Sequence, residues 1–416
     1  MADKIKIFTL SDHPLSPSGV GTQTKYIIEG MLRTGKYQFI SFGGAIKHPD
    51  YKPQKTEQWG DDWLIWPVDG YGSQDMVRAM IHQQKPDILW FMTDPRFYTW
   101  LWEIENEIRA HVPMVYYHVW DNYPYPNFNR QWYLSNDHIA CISRVTHDII
   151  QTVVPEVDSS YIPHAVDSEI FKPFDEKLIK QYRLDKGLDD KFVCLFNSRN
   201  ARRKQTGSLI WWFKEFLDVV GHDKAVLIMH TDSKDQNGQD LDAILHELKL
   251  VNGEILFSRD KVDAPSLAMM YNMADLTINI ADAEGFGLST LESLSCGTPI
   301  MVNMTGGLQD QVTDGENWFG IGLEPSSKAV IGSQDVPYIY EDRLSNEDFV
   351  EGLVKLYEMG PEKRVELGQA GLQWARTQFN YDTFIETWDK LFTRIHDEKG
   401  SWEQRTGYVP YEMRTY

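Results

Sequence analysis

Two carboxylates with seven residues between them, Glu284 and Glu292, carry the strongest chemical signal in this sequence. They sit in Ala283-Glu284-Gly285-Phe286-Gly287-Leu288-Ser289, continuing to Glu292, directly after an apolar run over residues 276–280. That order reads as a buried strand, a glycine turn and a helix start. Gly285 and Gly287 let the backbone approach a ligand closely, and a helix start presents free N–H groups. Such an end suits a phosphate or a sugar oxygen. Glu292 falls on the same helix face as Leu288 and Ser289. The two acids can then each grip a hydroxyl pair, one on a sugar and one on a ribose. The same pattern also fits a plain strand–turn–helix with Glu292 in solvent.

A second cluster places four cations in six residues: Arg199, Arg202, Arg203 and Lys204. It follows an apolar strand over residues 192–196, at the carboxyl edge where open α/β sheets bind ligands. Cations at a helix start oppose the helix dipole, so an anion site explains them better than a solvated helix. Arginine and lysine there can neutralise a leaving diphosphate, and not every one of the four needs to point inward.

Weaker signals lie elsewhere. Gly19 and Gly21 form a glycine loop after the opening strand, without the third glycine of a dinucleotide fingerprint. Thr305-Gly306-Gly307 opens another short helix. His118 ends a strand and is followed by Trp120, Asp121 and Asn122, a setting for orienting a hydroxyl or sharing a proton. His230 also ends a strand, and its segment is a candidate to face a nucleotide. His13, His138 and His147 have lesser cases. No cluster has metal-ligand spacing, so no metal site is expected.

These residues must be positioned by a larger scaffold. The 416-residue chain is long enough for two domains. Strand-like apolar runs alternate with helical periodicity through both halves, which predicts parallel sheets covered on both faces. The expected fold is α/β, with two Rossmann-like doubly wound domains facing a cleft. The expected boundaries are 1–165 for a first domain, 166–190 for a linker and 191–380 for a second domain. Residues 381–396 read as a last helix, followed by a tail to 416. Residues 326–343 read as loop, and the Trp- and Tyr-rich stretch over 61–132 as core filler or stacking surface.

The net charge is −20, from 41 basic and 61 acidic residues, which opposes a general polyanion-binding role. Three scattered cysteines, Cys141, Cys194 and Cys296, give neither a disulfide framework nor a zinc spacing. With no long apolar run, a transmembrane segment is not expected, and a cytoplasmic location is.

The sequence resembles the retaining GT-B glycosyltransferases of glycosyltransferase family four. Glu284-Gly-Phe-Gly through Glu292 matches that family's double-glutamate signature, and Ser295-Cys-Gly297-Thr-Pro299 its continuation. Gly306-Gly307, Val312-Thr-Asp-Gly315-Glu-Asn317 and Tyr161-Ile-Pro-His-Ala-Val-Asp167 resemble further blocks. His164 and Ala165 depart from its usual Asn and Gly.

The resemblance implies a nucleotide-sugar co-substrate, with a UDP-sugar the expected donor, and no required cofactor or metal. It makes residues 1–165 the acceptor-side domain and 191–380 the nucleotide-sugar-binding domain, with residues 381–416 a helix and tail crossing back onto the first domain. It assigns Arg199 and Lys204 to the diphosphate. Glu284, with the backbone of Gly285, Phe286, Gly287 and Leu288, is assigned to the donor sugar, and Glu292 to the ribose. Gly19, Gly21 and His118 are assigned near the transferred sugar. The expected catalytic set is His118, Glu284, Arg199 and Lys204. The acceptor hydroxyl is left open among a glycan, a lipid, a small molecule and a hydroxylated base in DNA. Alternatives of other classes are a nucleotide-sugar epimerase and a non-catalytic nucleotide- or glycan-binding relic.

Overall fold

The computed structural model describes residues 4–122 and 125–411. The chain divides into two compact units. The first comprises residues 1–120, 124–164 and 382–416; the second comprises residues 121–123 and 165–381.

In the first unit, strands β1 (Ile5–Asp12), β2 (Tyr37–Gly44), β3 (Gln54–Lys55) and β4 (Trp63–Pro67) precede β5 (Ile88–Met92). They are followed by β6 (Met114–His118), β7 (His138–Cys141) and β8 (Ser159–Tyr161). The sheet order is β3-β4-β2-β1-β5-β6-β7-β8. Every pair is parallel except the short β3 against β4. Central strands such as Ile88–Met92 and Met114–His118 are buried along their whole length, as a sheet covered on both faces requires.

The aromatic-rich stretch is mainly core. Trp63, Trp90, Tyr98, Tyr116, Tyr117 and Tyr133 are fully enclosed. Their phenols are satisfied internally: Tyr98 donates to the Leu10 carbonyl at 2.7 Å and Tyr116 to that of Thr93 at 2.8 Å. The last long helix, Tyr381–Lys399, buries Phe384, Trp388, Leu391, Phe392 and Ile395. It belongs with the first unit: Tyr37 donates to Asp389 Oδ1 at 2.7 Å, and Trp388 packs edge-on to Trp90. Beyond it, Arg405 pairs with the buried Asp137.

The second unit is built on β9 (Phe192–Asn197), β10 (Ala225–His230), β11 (Ile255–Ser258), β12 (Leu276–Asn279), β13 (Ile300–Asn303) and β14 (Gly320–Leu323). Their order is β11-β10-β9-β12-β13-β14, all parallel. The chain winds outward from β9 through β10 to β11, then restarts at β12 on the other side. The switch point therefore lies between β9 and β12, where doubly wound sheets bind ligands beyond their strands' carboxyl ends. The helix Thr206–Val220 packs Leu209, Ile210, Phe213, Phe216 and Leu217 onto the sheet, an apolar stripe at helical spacing.

Two segments differ from the sequence reading. Residues 326–343 are not a loop. They form an antiparallel hairpin, β15 (Ser327–Ile331) with β16 (Ile339–Arg343), separate from the main sheet. The segment read as linker contains a helix, Glu176–Asp185, capped by Asp175.

Candidate functional site

The loops that follow β9 and β12 meet at the switch point of the second sheet. The first carries a single tight turn, Arg202–Lys204, and the second carries Asp282 to Gly287. Backbone bonding joins them: the Asp282 N–H donates to the Arg203 carbonyl at 2.8 Å. Lys204 then forms a contact ion pair with Glu284, and Arg203 Nη1 lies 3.8 Å from the same carboxylate. Arg203 Nη1 also donates to the Ala283 carbonyl.

Both members of the pair are largely buried. Burial pushes the Lys204 ammonium below its ordinary range, reinforced by repulsion from Arg203, although Glu284 opposes the shift. Burial alone would push Glu284 up, but Lys204 and Arg203 outweigh it and hold the carboxyl below the usual range. Asp121, which groups with this unit, stands within the field of the same charges. Burial raises it to about 6, with Arg203 pulling it down and Glu284 pushing it up. Neither Arg203 nor Asp121 was selected by the sequence reading. In sequence Arg203 is one of three arginines beside a lysine, and Asp121 stands only as a neighbour of His118.

The floor of the site is glycine backbone. Gly306 has φ +50°, and a Cβ there would lie 1.9 Å from the Glu284 carbonyl oxygen. Its neighbour Gly307 donates its N–H to that carbonyl at 3.0 Å. The buried Gln311 amide donates to the Phe286 and Gly287 carbonyls at 2.7 and 3.1 Å, which fixes the Glu284–Gly287 loop from below. The helix Leu288–Ser295 follows from Gly287 with no side chain capping its start. Its N-terminal N–H groups are therefore oriented for an external acceptor.

Glu292 lies further along this helix. Tyr271 donates its phenol to Glu292 Oε2 at 2.7 Å and accepts from Asn197 Nδ2 at 2.7 Å. Burial raises the Glu292 carboxyl to about 7, opposed by the Tyr271 hydrogen bond. Asn197 ends β9, so this chain ties the carboxylate to the same sheet edge.

The other predicted residues have partners of their own. Arg199 is turned onto Asp235, with contacts at 2.6 and 3.1 Å, and its side chain is 64% exposed. The structure therefore pairs Lys204 with Arg203 rather than with Arg199. The neighbouring Asp235 draws Arg199 away. His230 ends β10 and bonds Ser258 Oγ through Nδ1 at 2.9 Å. In the first unit, His118 is fully enclosed, with Nε2 at 2.9 Å from the Tyr133 hydroxyl. Burial lowers it to about 3, so it stays neutral at ordinary pH. Gly19 and Gly21 begin the helix Gly19–Arg33, whose cap is Ser18, accepting from the Gly21 N–H at 3.0 Å. Ser18 in turn donates to Asp12 at 2.6 Å. Among the described residues, no group of three or more His, Cys, Asp or Glu is placed to hold a metal ion. Among them, too, no helix is long and apolar enough to cross a membrane.

Residues 189–374, which contain the whole Lys204–Glu284–Glu292 arrangement, match the family model of glycosyl transferases group 1. The match covers a little under half of the chain. A D-inositol 3-phosphate glycosyltransferase of Paenarthrobacter aurescens is 26% identical over 193 residues, covering 45% of this chain and 44% of that protein. The chain thus spans less than half the length of the curated relatives it matches. Among solved structures, a sucrose-phosphate synthase from Thermosynechococcus elongatus superposes with a TM-score of 0.74 at 14% identity, covering 95% of this chain and all of that one. Anabaena HepE, in complex with UDP and glucose, gives 0.69 at 15% identity, covering 94% and 99%. These likenesses establish the GT-B fold class, with two Rossmann-like units, and the segment that matches the family model lies within the second unit.

Proposed function

We propose that the chain transfers a glycosyl group from a nucleotide sugar, a UDP-sugar, to a hydroxyl acceptor. The observation that carries this reading is the Lys204–Glu284 pair. Two loops 80 residues apart in sequence meet at the switch point of a parallel sheet, with glycine backbone beneath them and an uncapped helix start beside them. A diphosphate fits the cations and the helix N–H groups, while a carboxylate next to them fits a sugar hydroxyl.

In this reading Lys204 and Arg203 meet the departing diphosphate, and Arg199 contributes when it leaves Asp235. Glu284 and the Gly285–Leu288 backbone hold the donor sugar. Glu292 accepts from the ribose hydroxyls. The anomeric C–O bond to phosphate breaks as positive charge develops on the sugar, and fixed cations stabilise the leaving group. The acceptor oxygen bonds the anomeric carbon on the same face, and a leaving phosphate oxygen takes its proton. The reaction is retaining and needs no metal, in keeping with the double-glutamate resemblance. His118, neutral and enclosed, serves as a hydrogen-bonding group rather than a titrating base. Three free, buried cysteines fit a reducing, cytoplasmic compartment.

The test is to screen UDP-, GDP- and ADP-sugars for thermal stabilisation. At 100 times its dissociation constant a true donor adds about 2.7 kcal/mol. Lys204→Ala should abolish that gain, and the anomeric configuration of any transfer product, read by NMR, decides retention. Stabilisation by none of the three donor types would overturn the reading.

A further inference from the structure

The hairpin β15–β16 has an unusual interior. Of its strand residues only Glu341 is buried, 1% exposed, and it is a charge rather than an apolar side chain. A carboxylate is enclosed at a strand centre only where cations meet it. Here Arg202 grips it with two hydrogen bonds, 2.9 and 2.6 Å, and Arg343 Nη2 adds a third at 2.6 Å.

The same strand reaches two further loops. Arg343 Nη1 lies 3.0 Å from the buried Asp282, whose carbonyl accepts from the Asp342 N–H at 2.9 Å. Asp342 Oδ2 accepts from Thr305 at 2.7 Å, and its carbonyl accepts from Asn303 Nδ2 at 3.0 Å. One strand therefore fastens the cation turn after β9, the acid loop after β12 and the glycine loop after β13. Arg202 stands two residues before Lys204, and Asp282 two before Glu284.

We propose that this hairpin is a positioning strap for the diphosphate site, and that Glu341 is the positioning residue that fixes the Arg202–Lys204 turn. The inference rests on the donor-site reading above. Glu341 neutralises Arg202, which turns that side chain away from the site and leaves Arg203 and Lys204 to face a diphosphate. Without it, two arginines and a lysine repel one another across one turn, and the turn loses its register against Glu284.

The experiment compares Glu341→Gln with wild type by calorimetric titration. The probes are UDP, GDP and ADP, and the monophosphate of whichever binds wild type best. Glu341→Gln keeps the shape and an acceptor but removes the charge. Diphosphate affinity should fall about tenfold, the scale of one charge-assisted hydrogen bond, with monophosphate affinity within twofold. Arg202→Gln should give the same selective loss, and the double variant should lose no more than either single one. Equal loss of both nucleotides marks a merely structural role and overturns the proposal, as does no loss of either. Should Glu341→Gln fail to fold, Arg202→Gln, altered on its partly exposed side, decides by the same criterion. If wild type binds none of the three diphosphates, the donor reading itself fails, an outcome distinct from the others.

Discussion

Lys204 Nζ and Glu284 Oε2 form a contact ion pair in which both side chains are largely removed from water. Such a pair is costly to break from one side, because the remaining charge stays buried. Glu284→Ala should therefore cost about 3 kcal/mol in denaturant unfolding. The paired change Lys204→Met with Glu284→Leu should recover most of that loss while nucleotide binding stays absent. Stability and donor affinity would then separate. A double variant as unstable as Glu284→Ala would show that packing, not charge, holds these loops together.

Gly306 is the sharpest steric constraint in the site. A methyl group there would sit 1.9 Å from the Glu284 carbonyl, at a φ that L-residues rarely adopt. Gly306→Ala should push the Glu284 loop off Lys204, lowering stability by roughly 1–3 kcal/mol. Nucleotide affinity should fall by more than this loss of stability explains, because the displaced loop carries Glu284. Calorimetric titration under conditions where the variant is fully folded checks the claim.

The strands that frame the site are readable from sequence because they are buried on both faces and appear as continuous apolar runs, as in β9 and β12. The glycine and glutamate spacing of residues 284–292 is equally readable, since backbone approach and helix geometry constrain it locally. The hairpin is not. The one buried residue of its strands is Glu341, so their hydrophobic patterning carries no trace of them. The choice of Arg203 over Arg199 is also invisible locally. It depends on Asp235, 36 residues away, claiming Arg199. The Trp- and Tyr-rich stretch is legible as core filler or stacking surface but not as one of the two, because enclosure depends on partners such as Trp388 that arrive from far along the chain.

Trp388 is fully enclosed and packs edge-on to Trp90 and Tyr117. Trp388→Ala should cost about 3–5 kcal/mol, the scale of deleting a large buried aromatic side chain. The loss should appear as a lower unfolding midpoint together with a weakened near-ultraviolet dichroism signal. Trp211, half exposed on its helix, is the control and should change stability by less than about 0.5 kcal/mol when replaced by Ala. Similar costs for the two substitutions would contradict the packing of the last helix described above.

Glu292 gives the site a pH dependence of definite sign. Burial lifts its carboxyl to about 7 in the folded chain, against about 4.3 when unfolded. The protonated form is thus favoured by folding. Its stabilising contribution is complete below about pH 4 and is lost as pH rises through 7. Glu292→Gln, which still accepts from Tyr271, should match wild type in acid and exceed it above pH 7 by on the order of 2 kcal/mol. Nucleotide binding should run the other way. A ribose diol is best held by the ionised carboxylate, so wild-type affinity should rise between pH 6 and 8, whereas Glu292→Gln should bind more weakly with no such rise. Titrations with a nucleoside diphosphate across that range decide the point, and a parallel rise in the variant would remove Glu292 from the ribose.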